Sequence, residues 1–212
     1  MFWKTVKPLL KEILIDLMNE DLFSSFRLVG GTSLSLQIGH RMSVDIDLFT
    51  DANYGSIDFD KIKDFFENKY QYCSYRNTKN VGMGTYFEIG NSEIDFVKVD
   101  LYYTDDFIFD AVVIDGIRMA TENEIIAMKL EIINQNGRKK DFWDLHYYLD
   151  KMSINQMIEF YEKRYPFSDS LNIKNQFLSF EYADEDFDPI CLLNKNWDNI
   201  KLDFIEKLQF TN

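Results

Sequence analysis

Residues that break secondary structure or that bridge through sulfur are scarce in this chain. Its 212 residues include 3 Pro and 9 Gly, so few long loops are expected between helices and strands. The 2 Cys and 2 His provide no disulfide framework and argue against a Cys/His zinc site. No run approaches the roughly 18 uninterrupted apolar residues of a membrane span, and no apolar signal segment opens the chain. These absences favour a protein of the reducing cytoplasm that has no membrane partner.

The residues that are abundant support a sizeable folded core. Hydrophobic residues make up 46% of the chain and aromatic residues 16%, including 19 Phe, which excludes a disordered chain. The length suits one large domain or two small ones that share an interface. The net charge of −13 argues against broad, sequence-independent binding to DNA, because such binding needs a basic face.

Patterns along the chain predict a mixed α/β part followed by helices. Helical spacing covers residues 3–18, strand patterns cover 26–29, 44–49 and 70–75, and a hairpin covers 84–103 with its turn at 90–92. The Asp115-Gly116 pair predicts a tight hairpin turn, and capping-box patterns at Thr121 and Ser153 open helices. The expected fold class is therefore α+β, with a mixed sheet and flanking helices over residues 1–115 and a mainly helical region over residues 116–212.

The most informative stretch runs from Leu28 to Phe49 and reads LVGGTSLSLQIGHRMSVDIDLF. A Gly-Gly turn lets backbone approach a phosphate, and a helix that begins near Thr32 directs free N–H groups at an anion. Asp45 and Asp47 lie two positions apart on a strand, so both carboxylates face one side. Carboxylates at this spacing suit Mg²⁺ that also binds substrate phosphates. The stretch therefore predicts a site for a nucleoside triphosphate and its metal ions.

The block GGTSLSLQIGHRMSVDIDLF, residues 30–49, resembles the nucleotidyltransferase superfamily that includes DNA polymerase β. More narrowly it is similar to the AbiEii/AbiGii toxin family, whose members carry a GGT-x-L-x-L…HR-x-S-x-D-I-D-L-F block. The likeness extends over about residues 26–150 and implies a polymerase-β-like nucleotidyltransferase core, with the helical region completing the active-site cleft. The candidate phosphate contacts in this block are Gly30, Gly31, Thr32, Ser33 and Arg41.

A third carboxylate is expected from a neighbouring strand, because two metal ions need more ligands than one pair of aspartates. Asp95 and Asp100 are the candidates, and on one regular strand they face opposite sides. Asp100 matches the apolar-flanked aspartate that the family usually has at this point. Together with Asp45 and Asp47 it completes the predicted catalytic and metal-binding set, in which it can also draw the proton from the attacking hydroxyl.

Residues 122–145 contribute the remaining candidates through an A-x-K helix and a K-D-x-x-D-L pattern that the family also carries. The resemblance implies that Lys129 and Lys140 contact the triphosphate, and that Asp141 and Asp144 orient these groups. An ordinary structural explanation is also complete. Negative charge is favoured at a helix N-terminus, and a lysine stem can extend along an apolar face.

The expected activity is Mg²⁺-dependent transfer of a nucleoside monophosphate from an NTP to a hydroxyl acceptor. The resemblance implies an RNA acceptor, such as a tRNA 3′ end. It also implies a toxin or phage-defence role that a separately encoded antitoxin protein opposes. The sequence leaves two alternatives open: a non-catalytic nucleotide-binding regulatory module, and nucleotidyl transfer to a protein or a small molecule.

Overall fold

The computed structural model describes residues 1–75 and 82–209, in which helices flank one mixed sheet. The strands are β1 (Arg27–Leu28), β2 (Ile46–Thr50), β3 (Tyr72–Tyr75), β4 (Gly84–Ser92), β5 (Asp95–Tyr103), β6 (Val112–Ile114) and β7 (Ile117–Met119). The α-helices are α1 (Pro8–Asn19), α2 (Gly30–Ile38), α3 (Phe59–Lys69), α4 (Glu122–Asn134), α5 (Lys139–His146), α6 (Ile154–Arg164), α7 (Ile173–Gln176), α8 (Glu181–Asp184) and α9 (Trp197–Gln209). The predicted α+β class is confirmed. Across the described residues, no helix is both long enough and apolar enough to span a bilayer.

The sheet has the strand order β3-β4-β5-β2-β1-β7-β6. Its central strands β2 and β5 run parallel, and Asp47 lies opposite Asp100 in their register. Because neighbouring strands are about 4.8 Å apart, this pairing sets two distant carboxylates side by side. In β2 the alternate residues Ile46, Leu48 and Thr50 are buried, which turns Asp47 toward the other face of the sheet.

Two clusters of buried apolar side chains hold the layers together. One joins α1 and α3 to one face of the sheet, and the other joins α2 to the helices that follow residue 120. Helix α2 belongs to both, since Leu36 packs into the first cluster and Leu34 and Ile38 into the second. Each fully buried side chain of this kind stabilises the fold by about 1.5–3 kcal/mol. Helix α2 is therefore held between two packed cores.

The division at residue 115 stays a prediction. It falls in the turn between β6 and β7, and both of these strands belong to the sheet. The second apolar cluster, by contrast, is built mainly from residues after Met119, with Val29, Leu34 and Ile38 as its earlier members. The cores thus separate close to the predicted boundary, while the sheet continues past it.

The turn between β4 and β5 lies at Glu93-Ile94, so the predicted turn at residues 90–92 is wrong. Gly90 sits inside β4, where an added Cβ atom would lie 2.5 Å from the carbonyl oxygen of Asp95. The register of the two strands also shifts between Gly90 and Ser92. Glycine here permits a close approach of two strands at an irregular pairing, which sequence alone does not distinguish from a turn.

The other predicted turn and caps have mixed outcomes. Asp115 and Gly116 have φ values of 52° and 81°, and positive values at both positions fit the tight hairpin turn that was predicted. The capping box at Ser153 is complete. At Thr121 the box is half formed: its hydroxyl accepts from the N–H of Glu124, but the Glu124 carboxylate instead accepts from the N–H groups of the 108–109 segment.

Candidate active site

A cavity of about 390 Å³ opens where the N-terminus of α2, the strands β2 and β5, and the helices α4 and α5 meet. Its wall includes backbone at Gly30 and Gly31, the carboxylates of Asp45, Asp47 and Asp100, and the cationic side chains of Lys98, Lys129, Arg138 and Lys140. The volume lies in the range of about 300–1,000 Å³ that is usual for small-molecule sites. The three carboxylates come from the sheet side, and three of the four cations come from the helical region.

The two glycines keep the mouth of α2 free of side chains. Gly30 has φ +66°, a left-handed conformation that favours glycine, and an added Cβ atom would lie 2.5 Å from Oδ2 of Asp47. A Cβ atom on Gly31 would collide with the guanidinium of Arg41. The first N–H groups of a helix have no acceptor within that helix. Backbone donors at Gly30 and Gly31 are therefore placed to bind an anion in the cavity.

The hydroxyl groups that follow the glycines are committed inside the protein. Thr32 is buried, and its hydroxyl bonds to that of Ser43 at 2.8 Å and donates to the carbonyl oxygen of Asp45. Ser33 is buried too, and its hydroxyl accepts from the side-chain amide of Gln37 at 3.0 Å. Thr32 thus ties the start of α2 to the segment that carries Asp45. Of the four predicted phosphate-loop residues, only the two glycines line the cavity.

The three carboxylates on the cavity wall interact electrostatically. Asp45 precedes the first residue of β2, whereas Asp47 lies within the strand and faces Asp100 across the parallel pair. Burial, followed by the charges of Asp100 and Asp45, raises the pKa of Asp47 from 3.8 to about 6. Such mutual repulsion is relieved when a cation binds between the carboxylates.

Lys98 lies two residues before Asp100 on the same face of β5, and its ammonium contacts both carboxylate oxygens at 2.8 and 2.6 Å. This pair was not predicted. Within residues 1–75 and 82–209, no three His, Cys, Asp or Glu side chains converge closely enough to hold a metal ion by themselves. The three predicted carboxylates all line the cavity, and that of Asp100 is already paired with the Lys98 ammonium.

Asp144 lies at the centre of a buried ionic network behind the cavity. Its carboxylate accepts from Nε and Nη2 of Arg41 at 2.6 and 2.9 Å, and it lies 2.7 Å from Nε2 of His40. Burial alone would raise the pKa of this carboxyl. The charges of Arg41 and Lys129 and the hydrogen bonds outweigh burial and hold the pKa well below its ordinary value. Arg41, a predicted phosphate contact, is thus a buried partner of Asp144.

Lys129 and Lys140 are not equivalent. The Lys129 ammonium is buried and lies 2.6 Å from Asp141 and 2.7 Å from Asp144, so both of its contacts are carboxylates. Lys140 lines the cavity, and its ammonium forms no ion pair or hydrogen bond with any described residue. Burial, and then repulsion from Arg138 and Lys129, lower the pKa of Lys140. Lys140 is the cation that is available to a ligand, while Lys129 is held by the two aspartates.

The predicted orienting role of Asp141 and Asp144 remains a prediction, but both acids lie where that role requires. Asp141 also accepts from the backbone N–H of Arg138 at 3.1 Å, which caps the start of α5. The helix-cap explanation and the lysine-holding explanation thus apply to the same carboxylate. Among residues 1–75 and 82–209, the Asp144 carboxylate caps no helix and contacts the buried cationic and imidazole groups described above.

Sequence reasoning missed several residues of the cavity wall. The sequence could have predicted Lys98, since it lies two residues before Asp100 on the same strand and therefore on the same face. It could not have predicted Tyr165 and Glu131, because only the packing of α4 and α6 brings them to the cavity.

Replacing Gly30 with Ala is expected to destabilise the protein by about 1–3 kcal/mol and to displace Asp47, because the new methyl meets its carboxylate. The measurement is the free energy of unfolding in urea, together with the transfer activity. Gly55→Ala is the matched control, since Gly55 has φ +84° but open space around a Cβ atom. Equal activities in the two variants would contradict the close contact between Gly30 and Asp47.

The mixed sheet, the glycine-bordered helix N-terminus and the paired strand carboxylates together define a nucleotidyltransferase. The chain belongs to the family described as nucleotidyl transferase AbiEii toxin, type IV toxin–antitoxin system, whose model matches residues 12–209. The resemblance inferred from residues 30–49 is confirmed.

Individual proteins resemble this chain in sequence or in fold. An uncharacterised protein of Aquifex aeolicus is 26% identical over 181 residues, which cover 83% of this chain and 84% of that protein. The crystal structure of JHP933 from Helicobacter pylori is similar with a TM-score of 0.58 and 17% identity, covering 94% of this chain and 89% of that one. The nucleotidyltransferase toxin MenT4 from Mycobacterium tuberculosis gives a TM-score of 0.60 at 13% identity, covering 95% and 82%. At these identities the two structures show a shared fold.

Proposed function

We propose that the chain transfers a nucleoside monophosphate from an NTP to a hydroxyl acceptor in a Mg²⁺-dependent reaction at this cavity. One observation carries the proposal. Asp47 on β2 and Asp100 on β5 lie side by side in the wall of a cavity, and the same cavity is lined by Lys140, whose ammonium forms no ion pair with a described residue. A triphosphate needs both features, since divalent cations bridge its oxygens to carboxylates and an ammonium group offsets its remaining charge.

The donor set suits magnesium. Mg²⁺ takes one or two protein carboxylates and completes its shell with water and substrate phosphates, so a ready-made cage of three protein ligands is not required. Asp45, Asp47 and Asp100 are the residues that would hold it, with Lys98 moving off Asp100. The raised pKa of Asp47 fits a site whose negative charge awaits a cation. Bound there, the ion supplies neutralisation of the charge that develops on the α-phosphate.

The protein's own groups then position the reactants. Backbone N–H groups at Gly30 and Gly31 and the Lys140 ammonium bind phosphate oxygens, and Lys129 keeps its orientation through Asp141 and Asp144. The acceptor oxygen attacks the α-phosphorus, the bond to the β-phosphate breaks, and pyrophosphate leaves. Asp100 receives the hydroxyl proton. Catalysis of this kind depends mainly on alignment and on fixed charge.

Family membership supports three further parts of the proposal, namely an RNA acceptor, a role in phage defence and a cognate antitoxin. One feature of the chain favours a second acceptor class, a cationic protein segment or small molecule. A neighbouring cavity of about 740 Å³ shares Tyr165 with the catalytic cavity. Its lining has three carboxylates, those of Asp51, Asp105 and Asp106, against two cations, Lys163 and Arg164, and Arg164 is already paired with the buried Glu124. Carboxylates there disfavour the phosphates of an RNA chain and favour amino groups.

The experiment that tests the proposal is transfer of label from α-³²P-labelled ATP, GTP, CTP and UTP in turn, with Mg²⁺ and total bacterial RNA. An Asp45→Ala/Asp47→Ala protein runs alongside. Label in an RNA band with the wild-type protein alone supports an RNA acceptor. Label in protein or small molecules supports the second acceptor class. NTP binding without any transfer would favour the non-catalytic regulatory module and contradict the enzyme.

The metal-free protein is expected to lose stability as pH rises from 3.8 to about 6, the two pKa values of Asp47 in the unfolded and folded states. Stability falls because the Asp47 carboxyl of the unfolded chain already ionises at the lower pH, whereas ionisation in the folded protein is opposed by burial and by the neighbouring carboxylates. The free energy of unfolding should decrease by about 1–3 kcal/mol across this pH range. Mg²⁺ binds the ionised form, so it should raise the melting temperature more at about pH 7.5 than at about pH 5.

Asp47→Asn is the control for this titration, because the amide cannot ionise. Its metal-free stability should stay nearly flat across the same window, and Mg²⁺ should add little. A wild-type stability that rises through this window would show that Asp47 is not the group under repulsion.

A further inference from the structure

A second cavity of about 200 Å³ borders the buried Asp144 network through His40, whereas the catalytic cavity borders the network through Lys129. It is lined by His40, Trp143, His146, Tyr147, Asp150, Lys151, Cys191, Leu193 and Lys195. Its volume is below the range of about 300–1,000 Å³ for larger ligands, so it has room for one heterocycle rather than for a whole triphosphate. The catalytic mechanism uses none of these residues directly.

One polar atom in this region has no partner. His40 is 2% exposed, and its Nε2 lies 2.7 Å from Asp144, while its Nδ1 is buried and bonds to no described residue. Beside a permanently ionised Asp144, Nε2 carries the proton, so Nδ1 is a bare acceptor that faces away from Asp144. An unsatisfied buried acceptor costs about 1–3 kcal/mol, which a ligand N–H would recover.

The remaining walls suit a planar ring with an attached anion. Four flat side chains contribute, namely Trp143, Tyr147, His40 and His146, and aromatic faces of this kind stack on nucleobases. Lys151 lies over the Tyr147 ring with its ammonium 3.3 Å from the centroid, and Lys195 lies across the cavity wall. The Lys195 ammonium also lies 3.5 Å from Asp203 in an exposed pair, and Asp150 lines the same cavity. A bound phosphate would take the place of Asp203 on Lys195 and would contact the ammonium group of Lys151.

We propose that this cavity is a second nucleotide site, which binds a nucleobase through His40 Nδ1 and the aromatic walls and binds its phosphate through Lys151 and Lys195. Every common nucleobase carries an N–H donor. The site is therefore expected to bind nucleotides as a class without selecting one base. The base comes either from a free nucleoside monophosphate or from the end of an RNA chain.

The site is linked to the catalytic cavity by a short chain of contacts. His40 bonds to Asp144, and Asp144 lies 2.7 Å from the Lys129 ammonium, which lines the catalytic cavity. The segment over the second cavity is joined to the same loop, since Leu192 N–H donates to the His40 carbonyl at 2.9 Å and Met42 N–H donates to that of Ile190 at 2.9 Å. A base that is bound to His40 is therefore connected through Asp144 to the ammonium group of Lys129.

The test is isothermal titration of the full-length protein with AMP, adenosine and a short RNA ending in A, all in EDTA. EDTA withholds divalent cations from the catalytic cavity, so the outcome does not depend on the proposed enzyme activity. Lys151→Met/Lys195→Met should weaken AMP binding about tenfold and leave adenosine binding unchanged, because only AMP carries the phosphate. Tyr147→Ala should weaken both ligands about tenfold through lost stacking.

Lys4→Met/Lys7→Met is the matched control, since it removes two exposed lysines outside the cavity and changes the net charge equally. A second readout is the ¹⁵N resonance of His40 Nδ1, which should shift on binding of adenosine. Binding of AMP alone assigns the site to free nucleotides, and binding of the RNA alone assigns it to a chain end. No binding of any ligand, equal losses in the two lysine pairs, or an unmoved His40 resonance would overturn the proposal.

Discussion

Replacing Asp47 with Asn is expected to lower nucleotidyl transfer by about 10²–10³-fold or more while the protein remains folded. Asn keeps the size of the side chain but loses the charge that binds a divalent cation, and a well-placed charge at the reacting phosphate contributes on this scale. The loss should appear in kcat, because the ion acts on the transition state more than on the bound NTP.

The measurement is the initial rate of label transfer at saturating NTP and metal. Asp64→Asn is the matched control, since Asp64 is an exposed aspartate on α3 and lies away from the cavity. Its rate should stay within a factor of two or so of wild type. Asp47→Asn should also melt higher than wild type in metal-free buffer, because it removes a repelled charge. A variant that is both active and less stable would refute the assigned role.

Replacing Asp144 with Ala is expected to destabilise the protein by about 3–5 kcal/mol. The carboxylate is fully buried and partners Arg41, Lys129 and His40, so its removal leaves the buried Lys129 with one of its two carboxylate contacts. It leaves the buried Arg41 with a hydrogen bond to the Met42 carbonyl oxygen but without its carboxylate partner. The network is charge-balanced in the native protein, since Asp141 and Asp144 offset Arg41 and Lys129. A loss of this size approaches the whole stability of many domains.

Urea unfolding monitored by tryptophan fluorescence measures this loss. Asp16→Ala is the control, because Asp16 forms an exposed ion pair with Lys69 at 3.1 Å and such pairs contribute below about 1 kcal/mol. If the two variants lost equal stability, Asp144 would be no more than an ordinary surface acid. A folded Asp144→Ala protein that bound NTP normally would also show that Lys129 does not depend on it.

The parts of the site that sequence predicted are those whose signal is local. Gly30, Asp45 and Asp47 lie within one short stretch, where strand alternation and helix-end chemistry fix their relation. Strand alternation indicated that Asp95 and Asp100 face opposite sides, and the apolar-flanked position that the family resemblance implies selected Asp100. The position of Asp100 opposite Asp47 could not be predicted, since the register of β5 with β2 depends on the packing of the whole sheet.

The parts that sequence did not predict depend on long-range packing. Arg41 reads as a free phosphate contact until the fold brings Asp144 against it. Lys129 and Lys140 look alike in the sequence, and only burial separates the held lysine from the available one. Gly90 reads as a turn because glycine permits both turns and close strand contacts. Sequence thus predicted the carboxylates that line the cavity, but not which of its cations are already paired with other residues.

The most direct test of the central claim is a crystal structure with Mn²⁺ and a non-hydrolysable NTP analogue, with the metal located by its anomalous scattering. We expect the metal between Asp45, Asp47 and Asp100, with a phosphate oxygen in its shell and Lys98 withdrawn from Asp100. The triphosphate should lie against Gly30, Gly31 and Lys140. Metal and triphosphate bound elsewhere, with the Lys98–Asp100 contact intact, would contradict the account.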